Sequence, residues 1–318
     1  MGDISHGAHC DNVNQQFSVI GVQGTLGTAD VAGTALTLPI GVNPSNGGVY
    51  TNGFMVDTNG SAFGYINNAG APQICAQPYL QALAEGDISG HIPWMKIGYT
   101  PSLTTTDSDL WPAGGLINLP GTGIQMQVVS SSIADTALGT GVQSVKITYL
   151  DNSYAEKSTV VTMNGTGAVN TTPTDILRVN SFRVETAGTN GKAAGNISLQ
   201  SVGGGTIYSY ISVGYTRARN SSYTVPAGKT LYIVQFTSGF GYAANQTHYS
   251  RIYTRVTQNE GVRTPGIFYP LTEVICANTS QEVLLEIPSK IVEKVDLKVS
   301  GVASTTGVAT IALRGWLE

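Results

Sequence analysis

The chain has 318 residues, of which 41% are hydrophobic and only 11% are charged, and its formal net charge is −4 at pH 7. Ordinary soluble domains carry about 25% charged residues; here glycine, serine, threonine and asparagine fill the difference. The 16 lysines and arginines form no basic cluster, which argues against a nucleic-acid partner because binding phosphates requires one. Enough aliphatic and tyrosine side chains remain to build a core, so the composition excludes a disordered chain.

The N-terminal region predicts an extended arm followed by a single helix. Residues 1–73 are rich in glycine, alanine and asparagine, with short strands predicted only at 17–20 and 35–38. We expect this arm to lie on a neighbouring subunit, which would satisfy its backbone polar groups. A helix is predicted over 74–86, with Pro78 suited to its first turn and Gly86 to the position just past its end.

From residue 123 onward the sequence reads as a series of strands. The clearest pattern is a β-hairpin, in which 142–150 alternates, 151–153 turns and 154–163 returns. Further strands are predicted at 125–129, 176–185, 196–200, 206–215, 230–237, 248–256, 281–287, 294–300 and 308–313. Short strands at this spacing are typical of a sandwich or jelly roll.

The predicted fold class is therefore all-β, with β-sandwich or jelly-roll-like domains, an extended N-terminal arm and one short helix. We divide the chain into an arm or small anchoring region at 1–90 and a β-sandwich domain at 91–220. Residues 221–318 form a second β region, which can also complete the same sandwich.

Several distinct turn and strand-edge motifs lie between residues 91 and 256. They include Ile92-Pro93-Trp94, Asp135-Thr136-Ala137-Leu138-Gly139-Thr140-Gly141 and Tyr223-Thr224-Val225-Pro226-Ala227-Gly228-Lys229. Through these motifs about half of the chain resembles a family of virion proteins of tailed bacteriophages. The resemblance implies a capsid-associated cement or decoration protein, or a tail-region protein. It brings no catalytic residues with it.

The sequence contains only weak candidates for a catalytic or metal-binding site. His6, His9 and Cys10 have metal-ligand spacing, but no second ligand pair follows closely. Asp107 and Asp109 precede Trp111 as a carboxylate pair beside an aromatic ring, the arrangement used by glycosidases. They sit, however, in a loop rich in threonine and proline, where aspartates usually cap turns. We therefore expect no enzyme activity, no cofactor and no metal.

The cysteines and the hydropathy of the chain indicate where the protein is made and where it is located. Cys10, Cys75 and Cys276 are odd in number and widely spaced, which predicts free thiols packed as small hydrophobes. Neither a signal peptide nor a membrane-length apolar run is seen. We expect synthesis in the host cytoplasm, no membrane partner and a final location on the capsid surface of the virion.

Aromatic side chains are the candidates for contact with a ligand or a partner. Exposed tyrosines contribute strongly to protein interfaces, although at strand periodicity half of these rings would face a core. The predicted contact residues are Trp111, Tyr208, Tyr210, Tyr249 and Tyr253.

The favoured function is a virion structural protein that binds the major capsid protein as a cement or decoration protein, assembled as a homotrimer. A weakly charged surface suits this role because identical copies can pack closely without repulsion. The alternative is a tail-fibre or receptor-binding protein that recognises a host-surface glycan. A depolymerase is a third hypothesis, and it would require a cleft with paired carboxylates.

Overall fold

The computed structural model describes residues 41–42, 49–50, 54–56, 62–66, 72–74, 79–243, 248–257 and 267–318. Across these residues the protein is almost entirely β, with one short helix. Contacts divide the chain into two units, Met1–Ser89 and Gly90–Glu318. The predicted all-β fold is confirmed.

The described parts of the first unit are two small antiparallel sheets and the helix. Strands β1 (Gly41–Val42) and β2 (Val49–Tyr50) form one sheet. Strands β3 (Phe54–Val56), β4 (Ala62–Ile66) and β5 (Pro72–Ile74) form the other.

The helix α1 spans Tyr79–Glu85 and is followed by Gly86 at φ 82°, the left-handed conformation that commonly ends helices. Ile74 at the start of the predicted helix belongs to β5, and residues 75–78 lie outside the described residues. The strands predicted at 17–20 and 35–38 lie outside the described residues, as does most of the predicted arm.

The second unit is built from long antiparallel strands. In chain order they are β6 (Ile92–Leu103), β7 (Ser108–Asp109), β8 (Met126–Ser130), β9 (Val142–Leu150), β10 (Glu156–Thr162), β11 (Val169–Asn170), β12 (Arg178–Ala187), β13 (Ile197–Ser201), β14 (Ile207–Ile211), β15 (Tyr223–Thr224), β16 (Leu231–Gly241), β17 (Ser250–Thr257), β18 (Phe268–Cys276), β19 (Ser280–Ile291), β20 (Asp296–Ala303) and β21 (Gly307–Leu317).

Strands β8 to β14 form what we call the inserted sandwich. One sheet has the order β10-β9-β12 and the other β11-β8-β13-β14. Alternate side chains from both sheets fill one core, among them Val145, Ile147, Phe182 and Leu199. This is the arrangement expected when two half-buried antiparallel sheets pack face to face.

The remaining strands form the split sandwich, so named because its strands come from both sides of the inserted one. One sheet has the order β15-β20-β17-β18, with β7 also paired to β20, and the other has the order β19-β16-β21-β6. Its core includes Leu103, Phe236, Leu297 and Leu313. Strand pairing thus groups 92–109 with 223–318.

The hairpin predicted at 142–163 is confirmed, with β9 and β10 paired in antiparallel register. Its turn is organised by Asp151, whose Oδ1 accepts hydrogen bonds from the Ser153 and Ala155 amides at 2.8 and 3.0 Å. The Lys157 ammonium lies 2.8 Å from Asp151 Oδ2 and, together with these donors, holds the pKa of Asp151 well below its usual range.

Strands β6 and β18 are absent from the sequence prediction. Pro93 and Pro101 interrupt the alternation of β6, and Pro270 interrupts that of β18. Both strands pair on one side only, β6 with β21 and β18 with β17. Proline is tolerated on such edge strands because its missing N–H is not needed by a second neighbour.

Candidate functional site

Trp111 does not present an aromatic face to solvent. Its side chain is 3% exposed, and its indole Nε1 donates a hydrogen bond to the Gly115 carbonyl at 3.0 Å. The adjacent Leu110 amide donates to Val299 O, which ties this turn to the split sandwich. Contact between Trp111 and a ligand would therefore require this turn to open.

The four predicted tyrosines are spread over both sandwiches. Tyr208 and Tyr210 are half-buried on β14, where Tyr208 packs against the core of the inserted sandwich. Tyr253 on β17 is half-buried and donates its hydroxyl hydrogen to Asp107 Oδ1. Tyr249 is exposed. The four do not converge on one described site.

The Asp107–Asp109 pair is part of a buried charge network, not an open carboxylate pair. Asp109 is fully buried and accepts hydrogen bonds from Lys298 Nζ at 3.0 Å, Arg255 Nη2 at 3.0 Å and Ser300 Oγ at 2.6 Å. Asp107 is exposed and, within the described part of the chain, contacts Arg255 and Tyr253. The two carboxylates therefore lie in different environments, with Asp109 enclosed beside two cationic side chains and Asp107 open to solvent.

Across the described residues no group of three or more His, Cys, Asp or Glu side chains is placed to hold a metal ion. His6, His9, Cys10 and Cys75 lie outside those residues. Cys276 is a buried free thiol. None of the helices described is long and apolar enough to cross a membrane.

Exposed apolar side chains are concentrated on or beside the two edge strands β18 and β19, and we call this set the apolar edge: Ile267, Tyr269, Ile275, Leu284 and Ile287. These two strands are the edges of the two sheets of the split sandwich. Leu284 is 71% and Ile287 85% exposed. A long hydrophobic edge strand of this kind is a template for association with another chain.

The shape of β19 indicates how such an association would work. Its register with β16 shifts between the Ile233–Ser289 and Gln235–Leu284 pairs, so extra residues of β19 bulge out there. Leu284 is the paired residue at one side of this bulge, and Ile287 lies within it. Because a bulge interrupts the backbone ladder, the apolar edge favours side-chain packing over extension of the sheet.

A second apolar surface lies at a loop of the inserted sandwich. Leu138 is 96% exposed and Ile133 79%. Between them the fully buried Asp135 accepts four hydrogen bonds, from the donors Ser130 Oγ, Val142 N, Ala194 N and Gly195 N. This carboxylate anchors the loop to three segments, so the aliphatic side chains are presented on a fixed support.

A cleft lies between the two sandwiches. It has a volume of about 270 Å³ and is lined by segments of β6, β9, β10, β12 and β14 together with residues 217–223. Lys96 Nζ donates a hydrogen bond to the Asn180 carbonyl across it at 2.6 Å. Burial, with a contribution from the Arg217 charge, lowers the pKa of Lys96 to about 7.

Polar and aromatic groups complete the cleft. Trp94 and Tyr223 meet edge to face with ring centroids 5.0 Å apart. Asn220 Nδ2 donates to Ser209 Oγ at 2.9 Å, while its buried Oδ1 has no hydrogen-bond partner among the described residues. Arg217 and Glu156 are exposed and also line the cleft. This cleft was not predicted from the sequence, because the residues that line it come from distant segments that share no local motif.

The lowered pKa of Lys96 predicts a specific pH dependence of stability. Between pH 7 and the ordinary lysine value of 10.5, the unfolded chain binds more protons at this residue than the folded one, so stability rises with pH. From pH 7 to 9 the wild type should gain on the order of 1–2 kcal/mol relative to Lys96→Met. Urea unfolding of both proteins at the two pH values checks this, and parallel changes would contradict it.

Comparison with known proteins identifies no family. No protein-family model matches the chain, and no curated protein matches it. Among solved structures, one of the Gx strain of infectious bursal disease virus is 10% identical, with a TM-score of 0.15 over 74% of this chain and 77% of that one. The VP2 subviral particle of the same virus is 11% identical, with a TM-score of 0.13 over 76% and 82%. Scores this low establish neither family nor function.

Proposed function

We propose that the chain is a structural protein of a tailed-bacteriophage virion, which binds and stabilises the capsid shell as a cement or decoration protein. The observation that carries this proposal is the apolar edge on a chain with only 11% charged residues. Exposed aliphatic side chains along two edge strands are unfavourable for an isolated soluble protein, and they are typical of a surface that another subunit covers. The phage assignment draws on the sequence resemblance.

In this function the protein associates as a symmetric homotrimer and sits where major capsid subunits meet. Burial of Leu284, Ile287 and their neighbours would remove apolar area from water at those joints. Because the protein would bind the assembled shell and not its dissociated subunits, it would stabilise the shell by mass action. The low charge keeps neighbouring copies from repelling one another.

The location is tested by labelling intact phage particles with a specific antibody and imaging them. The proposal expects label distributed over the whole head. Label confined to the tail tip or fibres would overturn it in favour of receptor binding.

The contact surface is tested by the double variant Leu284→Lys, Ile287→Lys. Placing two charges on the apolar edge should weaken binding to bare capsids at least about tenfold, since interface positions buried in an apolar contact do not accept unpaired charge. Co-sedimentation of the purified protein with capsids that lack it measures the effect.

The matched control is Val160→Lys, which puts a lysine at an exposed aliphatic position of β10, a strand of the other sandwich. Both proteins should unfold at the wild-type temperature within about 2 °C, because exposed substitutions rarely change stability by more than about 0.5 kcal/mol. Wild-type binding by the edge variant would show that this edge is not the capsid contact.

A further inference from the structure

We propose that the cleft between the two sandwiches is a binding site for a small hydroxylated carboxylate, a sugar acid of about one ring. The site is separate from the apolar edge, and the inference does not depend on the proposed function.

The charges at the cleft favour a single anionic group. Lys96 and Arg217 both line it, and among the described residues neither forms an ion pair. The hydrogen-bond acceptor of Lys96 is a neutral carbonyl, Asn180 O. The protonated form of the half-buried Lys96 is costly without a counter-ion, and a bound carboxylate would favour that protonated form through strong charge-assisted hydrogen bonds.

Glu156 sets a limit on the charge of the ligand. It is an exposed carboxylate that lines the same cleft and has no ion pair within the described part of the chain. Its negative charge would oppose a dianion more strongly than a monoanion. The cleft therefore suits a carboxylate better than a phosphate.

The rest of the lining matches the hydroxyl groups and ring of a sugar. Asn220 lines the cleft, and its buried Oδ1 has no hydrogen-bond partner among the residues that the structure describes. A ligand hydroxyl that reached this oxygen would supply the missing hydrogen bond. Thr148 and Ser181 contribute further polar groups. Trp94 and Tyr223 provide the apolar surface on which the C–H face of a sugar ring packs.

The size of the cleft points to one ring. Its volume of about 270 Å³ lies just below the range of roughly 300–1,000 Å³ found for pockets that hold drug-sized ligands. A single hexuronic acid fits this space, whereas a longer oligosaccharide would have to extend into solvent.

The test is titration of the full chain with sodium glucuronate at pH 7, followed by calorimetry and by NMR of the Trp indole protons. We expect saturable binding of one glucuronate per chain, with glucose at least about tenfold weaker, because glucose lacks the charge that Lys96 would pair. Inorganic phosphate should also bind more weakly than glucuronate. Equal binding of glucose and glucuronate, stronger binding of phosphate, or no saturable glucuronate binding overturns the proposal.

Three variants assign the effect to the cleft. Lys96→Met should weaken glucuronate binding at least about tenfold and Arg217→Gln several-fold, while Glu156→Gln should leave it unchanged or strengthen it. Arg217 and Glu156 are exposed, so these two variants should fold normally even if Lys96→Met does not. Wild-type affinity in both Lys96→Met and Arg217→Gln would place the ligand elsewhere and refute the site.

Discussion

Replacement of Asp109 by alanine is expected to lower the free energy of unfolding by about 3–5 kcal/mol, because it leaves the buried Lys298 ammonium without its counter-ion and takes from Arg255 its buried partner. Asp109 is fully buried and holds Lys298 Nζ at 3.0 Å and Arg255 Nη2 at 3.0 Å. Its Oδ2 also accepts the Ile117 amide at 2.7 Å. Urea unfolding followed by circular dichroism measures the change.

The matched control lies two residues away in the same loop. Asp107 is exposed and approaches Arg255 Nη1 at 3.4 Å. Asp107→Ala should therefore cost less than about 1 kcal/mol, as exposed ion pairs generally do. Equal losses in the two variants would show that burial of Asp109 does not set its contribution.

The second large effect is expected at the contact between the sandwiches. Arg178 begins β12 of the inserted sandwich and Asp296 begins β20 of the split sandwich. The two form a buried bidentate pair, with Nε–Oδ1 at 2.8 Å and Nη2–Oδ2 at 3.0 Å. Thr224 Oγ1 also donates to Asp296 at 2.7 Å. Asp296→Ala should destabilise the protein by about 3–5 kcal/mol, because the Arg178 charge stays buried.

Two further variants test whether the instability of Asp296→Ala comes from the unpaired buried charge of Arg178. The double variant Arg178→Met, Asp296→Leu should regain much of the loss, since apolar side chains of similar size replace a buried ion pair at little cost. Glu273→Ala removes another bidentate partner, that of Arg251, but both of these side chains are exposed. Its effect should stay below about 1 kcal/mol. A double variant as unstable as Asp296→Ala would contradict the argument.

Part of the fold can be predicted from the local alternation of apolar and polar residues. The alternation over 142–150 and the turn formers that follow it define β9, β10 and their hairpin, because all the pairing is between neighbours in sequence. The strands β6 and β18 were missed because prolines break their patterns. Their acceptance of proline depends on being sheet edges, which is a property of the assembled fold and not of the segment.

The sites were less predictable for a related reason. In the sequence, Asp109 has the context of an aspartate that caps a turn. In the fold it contacts Arg255 and Lys298, which come from strands far along the chain. The cleft is built in the same way, with Lys96, Asn180 and Asn220 contributed by separate elements. Trp111 shows the converse, because a loop tryptophan that looks exposed in sequence is buried, with its indole hydrogen-bonded within its own turn.

The interleaving of the two sandwiches has a consequence for the order of events during synthesis. Strand β6 emerges early but pairs with β21, which is made only after every strand of the inserted sandwich. The inserted sandwich can collapse as soon as its own segment is complete, whereas β6 must wait, and pairing between segments so distant in sequence is intrinsically slow. Nascent chains with β6 still unpaired would be the aggregation-prone species, so we expect a chaperone that binds this segment to raise the yield of folded protein.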